Sequence, residues 1–316
     1  MKACVTGGAG FIGSHLAQAL VKKGHDVVVL DDLSSGSLPS IEKLKADFIK
    51  GDLRDYEVVK KATRGCEVVY HLGAVVGVAD CVRNPKLAHE VNSQGTFNVA
   101  HACLENDSKL VYASSAGVYG DSVNLPINEK HPINPKNIYS ATKYIGEIYC
   151  SSMTPNHVIL RFFNVYGPGQ EKSAYSSILI NFIQKILNQQ PLQVFGTGEQ
   201  TRDYVHVSDV VNALTLAGEK KVSGIFNIGS GTQMSVNDVY SILKGISNRE
   251  IRVLNLPWRT WEVSHSFADI SLARKVLGFN PSVDIKTGLG NLFEYVANSK
   301  NLKTSADVIG FSKVNS

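Results

Sequence analysis

The chain has 316 residues, enough for one large α/β domain or for two lobes that share a cleft. Its 32 Lys and Arg against 28 Asp and Glu leave a net charge of only +4, and the basic residues form no runs, which argues against a nucleic-acid partner. Five cysteines without a Cys-x-x-Cys pairing read as buried thiols, and no stretch reads as a signal peptide or a membrane span, so a cytoplasmic location is expected.

Short β-branched runs at Lys2–Thr6, Asp26–Asp31, Asp47–Gly51, Glu67–His71, Lys109–Ser114 and His157–Phe163 alternate with helical patterns. That alternation builds a parallel sheet with crossover helices. The first helical pattern, Phe11–Lys23, puts Phe11, Ile12, Leu16, Ala19 and Leu20 on one side and stops at Gly24. After Gly167-Pro168-Gly169 the rhythm loosens: a helix is expected near Ser176–Asn188, strands at Leu192–Phe195 and Arg202–Val207, and a buried strand at Gly224–Gly229. Helices follow at Ser235–Ile246 and Ile285–Ala297. The polar segment Asn298–Ser316 reads as a tail that is mobile or added to the surface.

Between the first strand and the first helix lies Thr6-Gly7-Gly8-Ala9-Gly10-Phe11-Ile12-Gly13, which satisfies Gly-x-Gly-x-x-Gly and Gly-x-x-Gly-x-x-Gly. In that context the glycines allow a sharp turn and close approach of a pyrophosphate, and the helix end attracts its charge. The second strand ends at Asp31-Asp32, eighteen residues beyond Gly13, near the spacing at which a carboxylate accepts hydrogen bonds from an adenosine ribose. A carboxylate there repels a 2′-phosphate, and Leu33–Pro39 contains no Lys or Arg to neutralise one, so NAD is favoured over NADP. Asp52 and Leu53, after the third strand, are candidates to flank the adenine. The expected architecture is a Rossmann-type doubly wound parallel sheet with a smaller C-terminal substrate-binding lobe. Residues 1–166, with return segments near 203–232, would form the NAD-binding domain, 167–202 and 233–297 the lobe, and 298–316 the tail.

Tyr139 and Lys143 stand four residues apart at the start of a helical pattern, hence on one face. A nearby ammonium favours a phenolate and lowers a tyrosine pKa that is otherwise about 10, which suits Tyr139 to act as a general base. Ser115 ends the run Val111-Tyr112-Ala113-Ser114-Ser115, at the edge where parallel sheets bind ligands, and is the candidate partner of the reacting hydroxyl. His71, His101 and His206 show no metal-ligand spacing, and no metal site is expected.

Together these residues resemble the extended short-chain dehydrogenase/reductase family, most closely its NAD-dependent nucleotide-sugar 4-epimerases of the UDP-glucose (UDP-galactose) and UDP-N-acetylglucosamine type. The resemblance covers roughly residues 1–297. It is carried in family order by Gly7–Gly13, Gly51–Asp55, His71–Ala74, Asn92 with Gly95-Thr96, Ser114–Gly120, Tyr139/Lys143, Arg161–Pro168 and Thr201–Val207. It implies an isomerase in which NAD stays bound, takes hydride from C4 of the sugar while Tyr139 removes the 4-hydroxyl proton, and returns the hydride to the other face of a transient 4-keto sugar. Lys143 would hold the nicotinamide ribose and tune Tyr139, and Ser115 would hydrogen-bond the C4 oxygen.

The same resemblance implies NAD contacts at Gly7, Gly10, Phe11, Ile12, Gly13, Asp31, Asp32, Ser35, Gly36, Asp52, Leu53, Leu72, Gly73, Ala74, Asn92 and Phe162. It implies diphosphate and nucleotide contacts at Asn164, Arg202 and Arg259, with Phe195 near the base. Family dehydratases carry an Asp-Glu pair just after the catalytic Ser/Thr and decarboxylases a Glu; Ala116-Gly117 lacks that acid, which favours epimerisation over a 4,6-dehydratase. Gly117 also departs from the hydroxyl residue common in epimerases. Ser266 falls where glucose/galactose-restricted members carry a tyrosine, leaving space for an N-acetyl group. Other readings are a uronate epimerase and a non-catalytic NAD-binding scaffold. A homodimer packed through helices around Asn92–Leu104 and Tyr139–Ser152 is implied as well.

Overall fold

The computed structural model describes residues 1–121, 124–170, 178–258 and 263–310. In chain order the first half runs β1 (Lys2–Thr6), α1 (Phe11–Lys22), β2 (Asp26–Asp31), β3 (Asp47–Lys50), α2 (Tyr56–Thr63), β4 (Val68–His71), α3 (Val78–Arg83), α4 (Pro85–Ala88), α5 (Gly95–Asn106), β5 (Lys109–Ser115), α6 (Ile138–Met153) and β6 (His157–Phe162). The second half runs β7 (Asn164–Tyr166), α7 (Ile178–Leu187), β8 (Leu192–Phe195), β9 (Thr201–Arg202), β10 (Tyr204–His206), α8 (Val207–Glu219), β11 (Gly224–Ile228), β12 (Met234–Ser235), α9 (Val236–Ser247), β13 (Val253–Leu256) and α10 (Ile285–Gly310).

Seven strands form one parallel sheet in the order β11-β6-β5-β4-β1-β2-β3. The chain works outward from β1 through β2 to β3, then returns to β1's other side with β4 and continues through β5 and β6. This is the doubly wound arrangement, with its reversal point between β1 and β4. Helices cover both faces, so the strands are apolar on both sides. Ala3 and Val5 of β1, Val27 and Val29 of β2 and Val111 of β5 enter one core with Leu16, Leu20 and Leu214. The alternate residues Cys4, Val28, Leu30, Leu110 and Tyr112 enter another with Val59, Val99 and Cys103. All five cysteines are buried and unpaired, and burial pushes the thiols of Cys4, Cys103 and Cys150 well up and that of Cys66 to about 11. They are inert packing groups.

A third core lies beyond the sheet's carboxyl edge and is drawn mainly from the expected lobe: Leu179, Phe182 and Ile183 of α7, Leu192 and Val194 of β8, Val239 and Leu243 of α9, and Leu289 and Leu292 of α10. Three two-stranded ribbons brace it: β7 with β10, β8 with β13, and β9 antiparallel to β12.

Two expectations change. The strand expected at Arg202–Val207 is broken at Asp203, whose side chain turns into the protein and is fully buried. Four donors converge on it: Ser230 N and Oγ at 2.6 and 2.7 Å, Gly231 N at 3.0 Å and Ala268 N at 3.1 Å. Burial raises its pKa and these donors pull it back. The helix expected to stop at Ala297 continues to Gly310, because Asn291–Ile309 contains neither Gly nor Pro to end it. Residues 311–316 of the expected tail, and Ser176 and Ser177 at the expected start of α7, lie outside the described residues.

Asp203 ties β9 and β10 to the loop after β11 and to the segment at Ala268. Asp203→Ala removes the acceptor shared by these four donors and is expected to lower stability by about 3 kcal/mol, read as a shifted midpoint in chemical denaturation; an unchanged midpoint would show that the loops close without it.

Candidate active site

The carboxyl ends of β1, β2, β4, β5 and β6 converge on one crevice. At β1 the chain turns through Gly7 with φ +67°, and Gly7 and the segment after β4 lie so close that a Cβ on Gly7 would sit 2.7 Å from Gly73 N and Cα. Gly13 in α1 is tighter still: its Cβ would lie 2.1 Å from Gly7 O. Only bare backbone permits this, and it leaves the turn at Ala9-Gly10 and the half-buried Phe11 and Ile12 at the α1 N-terminus facing the crevice. Ser35 joins Ala9, Gly10 and Phe11 around the same hollow.

Asp31, 8% exposed, accepts from Ala9 N at 2.9 Å and Leu33 N at 2.8 Å. Burial raises its pKa and the two amides oppose the rise. Gly36 packs over this carboxylate, where a Cβ would lie 2.9 Å from Asp31 Oδ1. Asp32 is exposed and caps its own loop through Ser34 N and Oγ. Asp52 is held by Arg54, whose Nε and NH2 both reach it, and this guanidinium lowers its pKa. Leu53 is buried against Gly73.

A relay of hydrogen bonds braces the reversal point. Thr96 Oγ1 donates to Asn92 O at 2.5 Å, so His71 Nε2, 2.9 Å from Thr96 Oγ1, must be the donor in that contact. Burial, reinforced by Lys143, drives the His71 pKa down to about 3, so the ring is neutral and Nδ1 accepts from Thr6 Oγ1 at 2.7 Å. Thr6 Oγ1 in turn accepts from Gly73 N at 3.3 Å. Asn92 is buried and fully engaged: Oδ1 accepts from Val75 N, and Nδ2 donates to Val75 O and to Thr142 Oγ1. It fixes the Leu72–Val75 loop to α6.

Ser115 ends β5 beside Phe162 of β6. Its Oγ accepts from Gly117 N at 3.1 Å, which leaves the hydroxyl hydrogen to point elsewhere. Asn137 caps α6 by accepting from Ser140 N at 2.9 Å, placing the half-buried Tyr139 in the first turn. One turn on, Lys143 is 3% exposed, donates to Ala113 O at 2.8 Å and lies 5.1 Å from the centre of the Tyr112 ring. Burial pulls its pKa down to about 8. Tyr112 neighbours both groups, but burial pushes its own phenol well up and its hydroxyl points to Lys143 O. Tyr139 is therefore the tyrosine of this pair with a path to a ligand.

The expected substrate contacts gather one step further out. Asn164, exposed, follows Phe162 by two residues and bonds through its backbone to Asp203 O. Arg202 NH1 reaches Thr201 O at 2.8 Å and Ser264 O at 3.4 Å, and Ser266 N bonds Thr201 O at 3.2 Å. Gln200 Nε2 donates to Phe195 O at 2.9 Å, joining β8 to this strip. Arg259 lies outside the described residues. Among the described residues no cluster of His, Cys, Asp and Glu could hold a metal. Thr6 and Thr142 were missed from sequence; a hydroxyl ending an apolar strand was the available signal for Thr6.

Because His71 is neutral when folded and ordinary when unfolded, the unfolded chain binds the extra proton between about pH 6.5 and 3. Stability from this group is complete above that window and is lost as pH falls through it. His71→Gln is expected to be less stable at neutral pH yet to lose less stability between pH 6 and 4; parallel acid-denaturation curves for the two proteins would contradict this.

The sequence pattern of the NAD dependent epimerase/dehydratase family matches residues 3–229. A UDP-glucose 4-epimerase of Mycolicibacterium smegmatis is 35% identical over 317 residues, spanning 94% of this chain and 99% of that protein. The crystal structure of a Thermotoga maritima UDP-glucose 4-epimerase with UDP-glucose superposes with a TM-score of 0.90 at 32% identity, covering 95% of this chain and all of the other. A UDP-N-acetylglucosamine 4-epimerase from Methanobrevibacter ruminantium, in complex with UDP-N-acetylmuramic acid, also reaches 0.90 at 32% identity, covering 94% and 98%. With a glycine turn on a doubly wound sheet and a tyrosine and lysine on one helical face, the chain belongs to the NAD dependent epimerase/dehydratase family.

Proposed function

We propose that this protein is an isomerase, a nucleotide-sugar 4-epimerase that inverts C4 of UDP-hexoses, with UDP-glucose/UDP-galactose and UDP-N-acetylglucosamine/UDP-N-acetylgalactosamine as its substrate pairs. The observation that carries the reading is local. The turn after Ser115 is Ala116-Gly117, which offers no carboxyl group to protonate a leaving hydroxyl as loss of water would need, and Gly117 packs against Ser140. Proton exchange then falls to Tyr139 alone.

The glycine cradle fits the pyrophosphate of NAD, since any Cβ at Gly7 or Gly13 would fill or distort it. When bound, NAD supplies a reversible two-electron acceptor for the hydrogen on C4. The chain's own groups do the rest. Asp31, repelling a 2′-phosphate, selects the unphosphorylated adenosine ribose. Tyr139 takes the 4-hydroxyl proton and later returns it. Lys143, buried and cationic, holds the phenolate and reaches the nicotinamide ribose. Ser115, whose oxygen is already an acceptor for Gly117 N, turns its hydrogen to the C4 oxygen. Arg202 and Asn164 hold the diphosphate, Phe195 the base, and Ser266 leaves room for an N-acetyl group.

Residues 1–166 and the returning 203–232 carry the cofactor on this reading, and 167–202 with 233–297 carry the sugar nucleotide. Among the described residues no helix is long and apolar enough to cross a membrane, and five unpaired thiols suit a reducing cytoplasm. Leu104 of α5 and Ile148 of α6 are 49% and 45% exposed on helices that pack together, and we assign that face to a homodimer. Sedimentation should give twice the chain mass; Ile148→Glu should halve it.

Incubating the purified protein with UDP-galactose and, separately, UDP-N-acetylgalactosamine should give the C4 epimers by NMR without added cofactor. Tyr139→Phe should slow both by about 100-fold or more. Ser266→Tyr should abolish N-acetylhexosamine turnover and spare the other pair. Turnover should fall as pH rises through about 8, where Lys143 loses its proton. A 4-keto-6-deoxy product, or no change in either sugar, would overturn the assignment.

A further inference from the structure

Beneath the catalytic groups lies a buried polar chain. Tyr139, Lys143 and Glu147 recur at four-residue intervals along one face of α6. Glu147 and Arg161 of β6, each 3% exposed, pair at 2.6 Å, and the contact is bidentate: Arg161 Nε reaches Oε1 at 2.9 Å and NH2 reaches Oε2. Glu147 Oε1 also accepts from Ser114 Oγ, on the residue beside Ser115, at 2.5 Å. Arg161 NH1 donates to Tyr119 OH at 3.0 Å, and Tyr119 donates to Asn227 Oδ1 of β11 at 2.7 Å.

Filling this space with apolar side chains would cost no desolvation, so stability alone is a weak reason to bury two charges here. A bidentate ion pair, unlike an apolar contact, fixes both distance and angle between the elements that carry it. We propose that the Glu147–Arg161 pair is the positioning element of the catalytic set: it fixes α6 against β5 and β6, and so places Tyr139 and Lys143 relative to Ser115. This rests on Ser115, Tyr139 and Lys143 being the reacting groups. Neither member of the pair touches substrate.

The pair is neutral as a whole, and it is the nearest charge to Lys143 from below. Around Lys143 stand Glu147 and the thiol of Cys150 from α6, the thiol of Cys81 from α3, neutral His71 from β4 and Tyr112 from β5, with Arg161 of β6 behind Glu147. Removing Glu147's charge leaves an uncompensated cation, which disfavours proton binding by the Tyr139/Lys143 couple. Removing Arg161's charge does the reverse.

The test uses the NAD-loaded protein and the near-ultraviolet absorbance of the Tyr139 phenolate, taken as the difference from Tyr139→Phe, a reading that needs no substrate. Glu147→Gln should lower the midpoint and Arg161→Gln should raise it, each by about one pH unit, and the double variant should restore it. Where turnover is measured, each single variant should lose about 100-fold in kcat with KM changed by less than about threefold. Should Arg161→Gln fail to fold, Arg161→Lys keeps the charge and should hold the midpoint while Glu147→Gln still lowers it. Single variants that move the midpoint in the same direction, or that lose stability with the midpoint and kcat unchanged, would overturn the proposal and leave the pair a packing element. A wild-type protein inert toward every UDP-sugar but showing the opposed shifts would sink the epimerase reading and leave this one standing.

Discussion

Backbone meets backbone where β1 and β4 part, and most of the molecule is arranged around that contact. Gly7 and Gly73 approach too closely for any side chain, Gly13 presses on Gly7, and the Thr6–His71–Thr96 relay holds the two strand ends at that spacing. Such an approach is possible only because consecutive strands leave β1 in opposite directions, opening a crevice that no crossover helix covers. Had His71 been charged, the relay would lack an acceptor for Thr6, so its burial is a condition of the geometry as well as a consequence.

The same low-dielectric setting shapes the chemistry. Lys143 is drawn down by burial to within reach of neutral pH, donates to Ala113 O and lies over the Tyr112 ring. A cation so placed attracts a neighbouring anion such as a phenolate. Tyr112 shows the alternative fate: with its ring centre 5.1 Å from the ammonium, it is buried so completely that its ionised form is disfavoured. Exposure, and not proximity alone, separates the tyrosine that can exchange a proton from the one that packs.

The doubly wound sheet was legible because its strands are apolar on both faces and are punctuated by Gly or by polar ends, so the β1 and β2 boundaries read from sequence coincide with the observed ones. The glycine turn, Asp31 and the Tyr139/Lys143 spacing were legible for a related reason: each is a local pattern whose physical use depends on residues within a few positions. Asp203 was hidden, since nothing in Thr201-Arg202-Asp203-Tyr204 reveals that loops near residues 230 and 268 will fold back to satisfy its carboxylate. Asn92 was expected beside the cofactor from its motif, but its bonds to Val75 and Thr142 could not be read from the sequence. Long-range partners of polar groups are what a single sequence conceals.

Glu147 marks the boundary between these two cases. Its position four residues after Lys143 puts it on the same helical face, but Arg161 sits inside an apolar strand where a cation has no local explanation. Only the pairing of α6 with β6 resolves both. A helix held to a sheet by apolar contact alone can slide by fractions of an ångström at little cost, because dispersion is weakly directional. The proposed epimerisation, which must deliver a hydrogen to either face of one carbon, would tolerate little such motion of the base beside it. The charged clamp lies directly below the residues whose placement that reaction constrains most, with Ser114 tying the neighbouring serine to the same carboxylate.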